Sequence, residues 1–153
     1  MKKCEFDEIK DFVNTISKTL GITVNYYSIE NSSMDKELTK VVAESNLKCV
    51  FMGETSNKET KVYSMTTGKY PTMLRVRPIL NWKYKEIWEF FKKYKCQYCS
   101  LYEKGYTSLG TKDDTIPNPL LLIESTGEYL PAYMLIDESK ERIGRVSKAT
   151  TKL

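Results

Sequence analysis

Apolar side chains first recur along the chain at helical spacing. In residues 5–20, Phe6, Ile9, Phe12, Val13, Ile16 and Leu20 step by three and four, which lays one apolar stripe along an amphipathic helix, and Gly21 follows as its stop. The pattern then changes. "ITVNYYSI" (22–29) is β-branched and aromatic and predicts a strand. Ser32 and Asp35 stand at capping-box spacing, and Met34, Leu38, Val41 and Val42 continue as a second helical stripe. "CVFM" (49–52) predicts a short buried strand ending at Gly53. Helix, strand, helix, strand with short links is the order of an α/β fold, a parallel sheet flanked by helices.

Ligands of open parallel sheets sit beyond the carboxyl ends of the strands, which draws attention to Gly53. The stretch after it, "ETSNKETKVYSMTTGKYPTM", is polar and without period, and predicts a long loop. "LRVRPIL" (74–80) alternates as a strand, and Asn81 is the expected N-cap of a helix over about 82–94 with Tyr84, Ile87, Trp88 and Phe91 at helical spacing. A short strand is expected in "PAYMLID" (131–137), before the basic "ERIGRVSKATTKL", whose last residues, about 147–153, read as a flexible tail. With no repeat and no linker, residues 1–153 read as a single domain.

Composition narrows the chemistry. Apolar residues make up 41% and charged residues 29%, enough of a core for a folded chain. The net charge of +4 is carried by Lys and Arg mixed among acids, which favours a small phosphate ligand over nucleic acid. No run approaches a membrane span, and the charged start "MKKCEFDEIK" lacks a signal peptide's apolar centre, so a cytoplasmic protein is expected. Cys4, Cys49, Cys96 and Cys99 have no secretory context, and the CxxC of "KCQYCS" follows a helical pattern instead of opening one. It reads as structural thiols, with no metal site. The chain has no histidine, which excludes hydrolases built on Ser/His or Cys/His pairs.

The densest run of unusual residues is "LYEKGYTSLGTKDDTIPNP" (101–119), with aromatics, hydroxyls, two glycines and two prolines. Trp82, Tyr102 and Tyr106 fall at a helix start or in this loop, where a flat ligand could stack, whereas Ile87 and Trp88 fit core packing. Thr107, Ser108 and the main chain around Gly105 and Gly110 could donate to phosphate or ring oxygens. In "ERIGR", Arg142 and Arg145 are three apart; on a helical turn both face one way, as a phosphate clamp or as a solvated basic face.

Taken together, "RPILNWKYKEIWEFF", "YCSLYEKGYTSLGTKDDTIPNP", "YLPAYML" and "ERIGR" closely resemble the eukaryotic FAD synthases, FMN adenylyltransferases of the PAPS-reductase-like family, from about residue 6 to 146. The resemblance implies a Rossmann-like parallel sheet of the PP-loop, adenine nucleotide alpha-hydrolase type. It also implies the reaction of ATP with FMN to give FAD and pyrophosphate, with Mg2+. By the same resemblance Trp82, Tyr98, Tyr102, Tyr106, Thr107, Ser108, Leu109 and Gly110 would face the flavin, Gly53 and Asn118 the nucleotide, and Arg142, Arg145 and Asn81 the reacting phosphates. An FMN phosphate is already ionised at neutral pH, so the reaction needs positioning and positive charge more than a base. The family's Ser-Gly-Gly-x-Asp-Ser loop does not occur here, so an amino-terminally truncated form of the fold is expected, with a separate chain as one source of that loop. "GETSNKE" replaces the family's Gly-x-Arg-Arg-x-Asp-Pro, and Asn81 replaces its acid before tryptophan. Two readings stay open: an adenylyltransferase, or a non-catalytic remnant that binds flavin or nucleotide. A sulfate-assimilation reductase of the same superfamily would need a cysteine near the carboxyl end, and "SKATTKL" has none.

Overall fold

The computed structural model describes residues 5–27, 34–45, 47–55, 61–65 and 73–146. The chain falls into two compact units, Met1–Val24 with Tyr84–Leu153, and Asn25–Lys83.

The unit over Asn25–Lys83 holds a helix and a three-stranded sheet. Helix α2 spans Met34–Glu44 and buries Val42; Ser32, its expected cap, lies outside the described residues. Strands β1 (Cys49–Phe51), β2 (Tyr63–Met65) and β3 (Leu74–Val76) stand in the order β1-β3-β2. β1 runs parallel to β3, with Phe51 opposite Val76, while β2 runs antiparallel, with Tyr63 opposite Val76. The α/β class holds, but the sheet is mixed. Its antiparallel strand comes from the stretch read as loop, where Tyr63 and Met65 alternate with Ser64, and so short a connection to β3 suits antiparallel pairing. β3 is shorter than expected because Pro78 has no N–H for a ladder, and the chain turns instead, Leu80 N–H bonding Arg77 O at 3.2 Å and Trp82 N–H bonding Ile79 O at 3.0 Å.

Two expected features of this region are corrected. Asn81 sits in that turn, and helix α3 begins only at Tyr84, so Asn81 is not its N-cap. "ITVNYYSI" is not a strand over 22–27, its other two residues lying outside the described ones; Tyr26 and Tyr27 are exposed, and strand preference has little force without a partner or burial.

The other unit opens with α1 (Asp7–Leu20), whose acidic first turn suits the helix dipole and which ends at Gly21 with φ +63°, a conformation that costs glycine least. Phe6 is buried with Cys99 and Leu101, and Ile9, Phe12, Tyr102, Tyr106 and Leu109 pack around them. Helix α3 (Tyr84–Tyr94) buries Trp88. Beyond it regular structure is sparse: 3-10 turns at Ser100–Lys104, Pro119–Leu121, Ala132–Met134 and Glu138–Lys140, and a hairpin of β4 (Leu122–Ile123) and β5 (Glu128–Tyr129). "PAYMLID" is therefore a turn and not a strand. Its buried residues, Ala132 and Leu135, are three apart, the period of a 3-10 helix instead of the strand's two.

Cys49, Cys96 and Cys99 are free thiols. Among the described residues no group of three His, Cys, Asp or Glu could hold a metal ion, and no helix is long and apolar enough to cross a membrane.

Candidate functional site

An aromatic cluster gathers around Trp88 in the unit that carries the loop. Trp88 takes edge-on contacts from Tyr98 at 5.2 Å, Tyr102 at 5.3 Å, Tyr133 at 5.7 Å and Tyr84 at 6.1 Å between ring centres. Such pairs add about 0.5–1.5 kcal/mol each beyond the area they bury. Lys92 Nζ lies 4.0 Å over the Tyr133 ring, a cation–π contact. The Tyr84 hydroxyl donates to Ala132 O at 3.0 Å, and that of Tyr98 donates to Glu103. Burial raises the pKa of Tyr84 and Tyr102, and the bond to Glu103 pushes Tyr98 up to about 12. All three stay neutral donors near pH 7. Tyr98 and Tyr102 are thus already engaged with Trp88, and Tyr106 stands edge-on to Phe6 at 5.4 Å.

From Gly105 to Asn118 the chain is held largely by side chains, with a single antiparallel bridge between Thr115 and Arg145. Gly105 (φ +81°) closes the turn Ser100–Lys104, and a Cβ there would lie 2.6 Å from Tyr129 Cβ. Asn118, with no exposed surface, is the centre of the fastening. Its Nδ2 donates to Thr107 Oγ1 and to Lys140 O, each at 3.0 Å, while its Oδ1 accepts from Leu120 N–H at 3.0 Å. Thr107 Oγ1 in turn donates to Glu141 O at 2.6 Å. Asn118 also caps the turn Pro119–Leu121, which begins with proline.

The carboxyl-terminal segment crosses the same loop. Arg145 Nη1 donates to Leu109 O at 2.8 Å, and its Nη2 lies 3.4 Å from Asp114 Oδ1. That oxygen also accepts from Thr111 N–H at 2.8 Å and from Thr115 Oγ1 at 2.7 Å. A Cβ at Gly110 would collide with the Arg145 guanidinium and with Asp114 Oδ1, so the glycine lets the arginine approach the main chain closely. Gly144 does the same against Ile116 O, and Ile116 N–H bonds Gly144 O at 2.9 Å. Burial works against the charged form of Asp114, but the hydrogen bonds from Thr115 and Thr111 and the charge of Arg145 outweigh it and lower its pKa. Glu141 goes the other way, raised by burial despite neighbouring Arg142.

The predicted residues thus separate. Tyr98, Tyr102, Tyr106, Thr107, Ser108, Leu109, Gly110, Asn118, Arg142 and Arg145 all belong to the unit with α3, while Gly53, Asn81 and Trp82 belong to Asn25–Lys83. Thr107, Ser108 and Asn118 are buried, Leu109, Gly110 and Arg145 half-buried, and Arg142 exposed. The two arginines differ: Arg145 is tied into the loop, and the Arg142 side chain faces solvent. Gly110 opens its space to this chain's own guanidinium, not to a ligand. In the other unit, Gly53 is exposed just past β1, and Arg77, buried at the end of β3, donates to Glu54 at 2.6 Å and to Ser64 Oγ at 2.8 Å. Asp114 and Arg77 were missed by sequence reasoning. For Asp114 a signal existed, since Thr111 and Asp114 stand at capping-box spacing and its carboxylate reaches back to Thr111 N–H as in that motif. An open cleft of about 450 Å³ beside α1, lined by Glu8, Asp11, Phe12 and Tyr98 among others, shares only Tyr98 with the predicted site, and its acids are ill-suited to phosphate.

These features match a known family. The family model of the phosphoadenosine phosphosulfate reductase domain fits residues 36–117, more than half of the chain and part of both units. The chain belongs to that family. Within it, the "Probable FAD synthase" of Schizosaccharomyces pombe is 36% identical over 146 residues, covering 92% of this chain and 54% of the yeast protein. That of Caenorhabditis elegans is 45% identical over 83 residues, covering 52% of this chain and 16% of the worm protein. The crystal structure of Candida glabrata FMN adenylyltransferase with FMN and the ATP analogue AMPCPP superimposes with a TM-score of 0.80 at 22% identity, over 94% of this chain and 64% of that one. The chain spans about half the length of the Schizosaccharomyces relative.

Proposed function

We propose that this chain acts in FAD synthesis, transferring AMP from ATP to FMN. The observation that carries the reading is the 36% identity to an FAD synthase along 92% of the chain. That match crosses both compact units, which supports treating residues 1–153 as one adenylyltransferase domain. In the reaction an FMN phosphate oxygen attacks the α-phosphorus of ATP, and the bond to the β-phosphate oxygen breaks with its electrons leaving on pyrophosphate. No proton has to be removed from the nucleophile, in keeping with a chain without histidine. Arg142, exposed, and Arg145, braced over Gly110, would supply positive charge to the flavin phosphate, with the Thr107–Gly110 main chain beside it. Tyr98, Tyr102 and Tyr106 would border the ring system, Trp82 and Asn81 would contribute from the turn before α3, and Gly53 would leave room for nucleotide. Asn118 serves through the loop it fastens. Mg2+ would come with the ATP phosphates; no residue of this chain is assigned to it. The missing Ser-Gly-Gly-x-Asp-Ser loop would be supplied by a further segment or a separate chain. A cytoplasmic setting belongs to the same reading.

One observation favours the second reading, a flavin-binding protein without turnover. Where the family carries its arginine pair, this chain has Thr55 and Ser56, so two cations are lost, and the carboxylate of the preceding Glu54 engages Arg77. An acid there is a poor neighbour for a triphosphate. Titrating FMN into the purified chain by flavin fluorescence, then adding ATP and magnesium and separating the products by chromatography, distinguishes the readings. FAD formation establishes the first, saturable FMN binding without FAD the second, and absence of flavin binding rejects both.

A further inference from the structure

The loop's most heavily engaged acid is Asp114. Asp114 Oδ1 meets three donors, the Thr111 main chain, the Thr115 hydroxyl and the Arg145 guanidinium, and its own carbonyl accepts from Val146 N–H at 3.0 Å. Its side chain is 23% exposed and that of Arg145 27%, so the pair is partly shielded from water but within reach of a ligand at the surface. Arg145 uses Nη1 on Leu109 O, and its Nε is buried without a partner. An arginine so placed could swing away to solvate that group. The Asp114 carboxylate and the bond to Leu109 O oppose the swing, and the missing side chain of Gly110 leaves the guanidinium room to stay.

An acid beside a phosphate-binding arginine subtracts from the attraction it offers. Were Asp114 only a neighbour, removing its charge would tighten phosphate binding. We propose that Asp114 is instead a positioning residue for the flavin phosphate, acting through Arg145 by holding the guanidinium beside Gly110 and against Leu109 O. The inference rests on the reading that Arg145 meets that phosphate. Asp114→Asn is the informative change. The amide keeps an oxygen for Thr111 N–H and Thr115 and loses only the charge toward Arg145, so the loop should stay folded.

The experiment measures FMN and riboflavin affinities by fluorescence titration for the wild type, Asp114→Asn, Arg145→Gln and the double variant. Losing a charge-assisted contact should weaken FMN about tenfold, while riboflavin, without phosphate, changes less than about twofold. In the Arg145→Gln background the same change should add almost nothing, the signature of one residue acting through another. Tighter or unchanged FMN binding in Asp114→Asn, equal losses for both flavins, or an undiminished effect without Arg145 would each overturn the inference. A wild-type chain that binds neither flavin would overturn the proposed function and this inference together, whereas normal wild-type binding with any of the former results removes the inference alone.

Discussion

Asn118 offers a sharp test of how the loop is built. Its amide is read in one orientation only: Leu120 N–H needs an acceptor and Lys140 O needs a donor, so Oδ1 faces the first and Nδ2 the second. Asn118→Ala removes a turn cap worth about 0.5–2 kcal/mol and leaves the Lys140 carbonyl with only its bond from Ile143 N–H at 3.1 Å. With about 1 kcal/mol net for each lost bond, the expected cost is about 3 kcal/mol. Asn118→Asp is nearly isosteric and keeps the cap, but turns an oxygen toward Lys140 O and Thr107 Oγ1. The threonine proton is already given to Glu141 O, so it cannot answer without releasing that carbonyl. The carboxyl is therefore favoured in its protonated form and its folded pKa rises above the unfolded value of about 3.9. By linkage the folded state then binds more protons, and stability falls as pH climbs from the unfolded to the folded pKa. The aspartate variant should match the alanine variant's loss at neutral pH and recover much of it near pH 4, where the alanine variant recovers nothing relative to wild type. Urea unfolding followed by Trp88 fluorescence, in a Trp82→Phe background so that one tryptophan reports, measures both. A loss below about 0.5 kcal/mol for either variant at pH 7, or an aspartate deficit independent of pH, would refute the network as the loop's fastening.

Three further outcomes follow from the same geometry. Gly110→Ala should cost about 1–3 kcal/mol by driving its methyl into the Arg145 guanidinium, and should weaken FMN more than riboflavin; thermal unfolding and fluorescence titration check the two parts. Glu141→Gln should raise the melting temperature at neutral pH, because burial disfavours the native carboxylate; the gain should vanish below the usual carboxyl pKa, where folded and unfolded states are both protonated, and a gain that persists in acid would contradict the assignment. Tyr106→Ala should weaken flavin binding beyond its effect on folding, measured as affinity against urea midpoint; unchanged affinity would confine Tyr106 to its contact with Phe6.

Helices were legible in the sequence wherever an apolar stripe ran long enough to fix a period. α1 and α3 appear within two residues of expectation because Phe6, Ile9 and Phe12, or Ile87, Trp88 and Phe91, leave one side of a helix no alternative to burial. Strands were harder to place, since three residues suffice for each strand of the mixed sheet and pairing, not propensity, selects them. "ITVNYYSI" has the better β composition and no strand over 22–27, while Tyr63–Met65, set in polar surroundings, pairs with β3. The site was legible as composition but not as roles. Its glycines suggested room for a ligand, yet Gly110 and Gly144 admit this chain's own guanidinium and carbonyl. Its tyrosines suggested stacking, yet Tyr98 and Tyr102 first serve Trp88. Arg142 and Arg145, equivalent by spacing, are distinguished only by what lies across from them, Leu109 and Asp114, some thirty residues earlier. Linear patterns report which residues a loop uses; which of them face a ligand and which hold the others is decided by contacts distant in sequence. That is why Asp114, unremarkable in "TKDD", becomes the residue on which Arg145 turns.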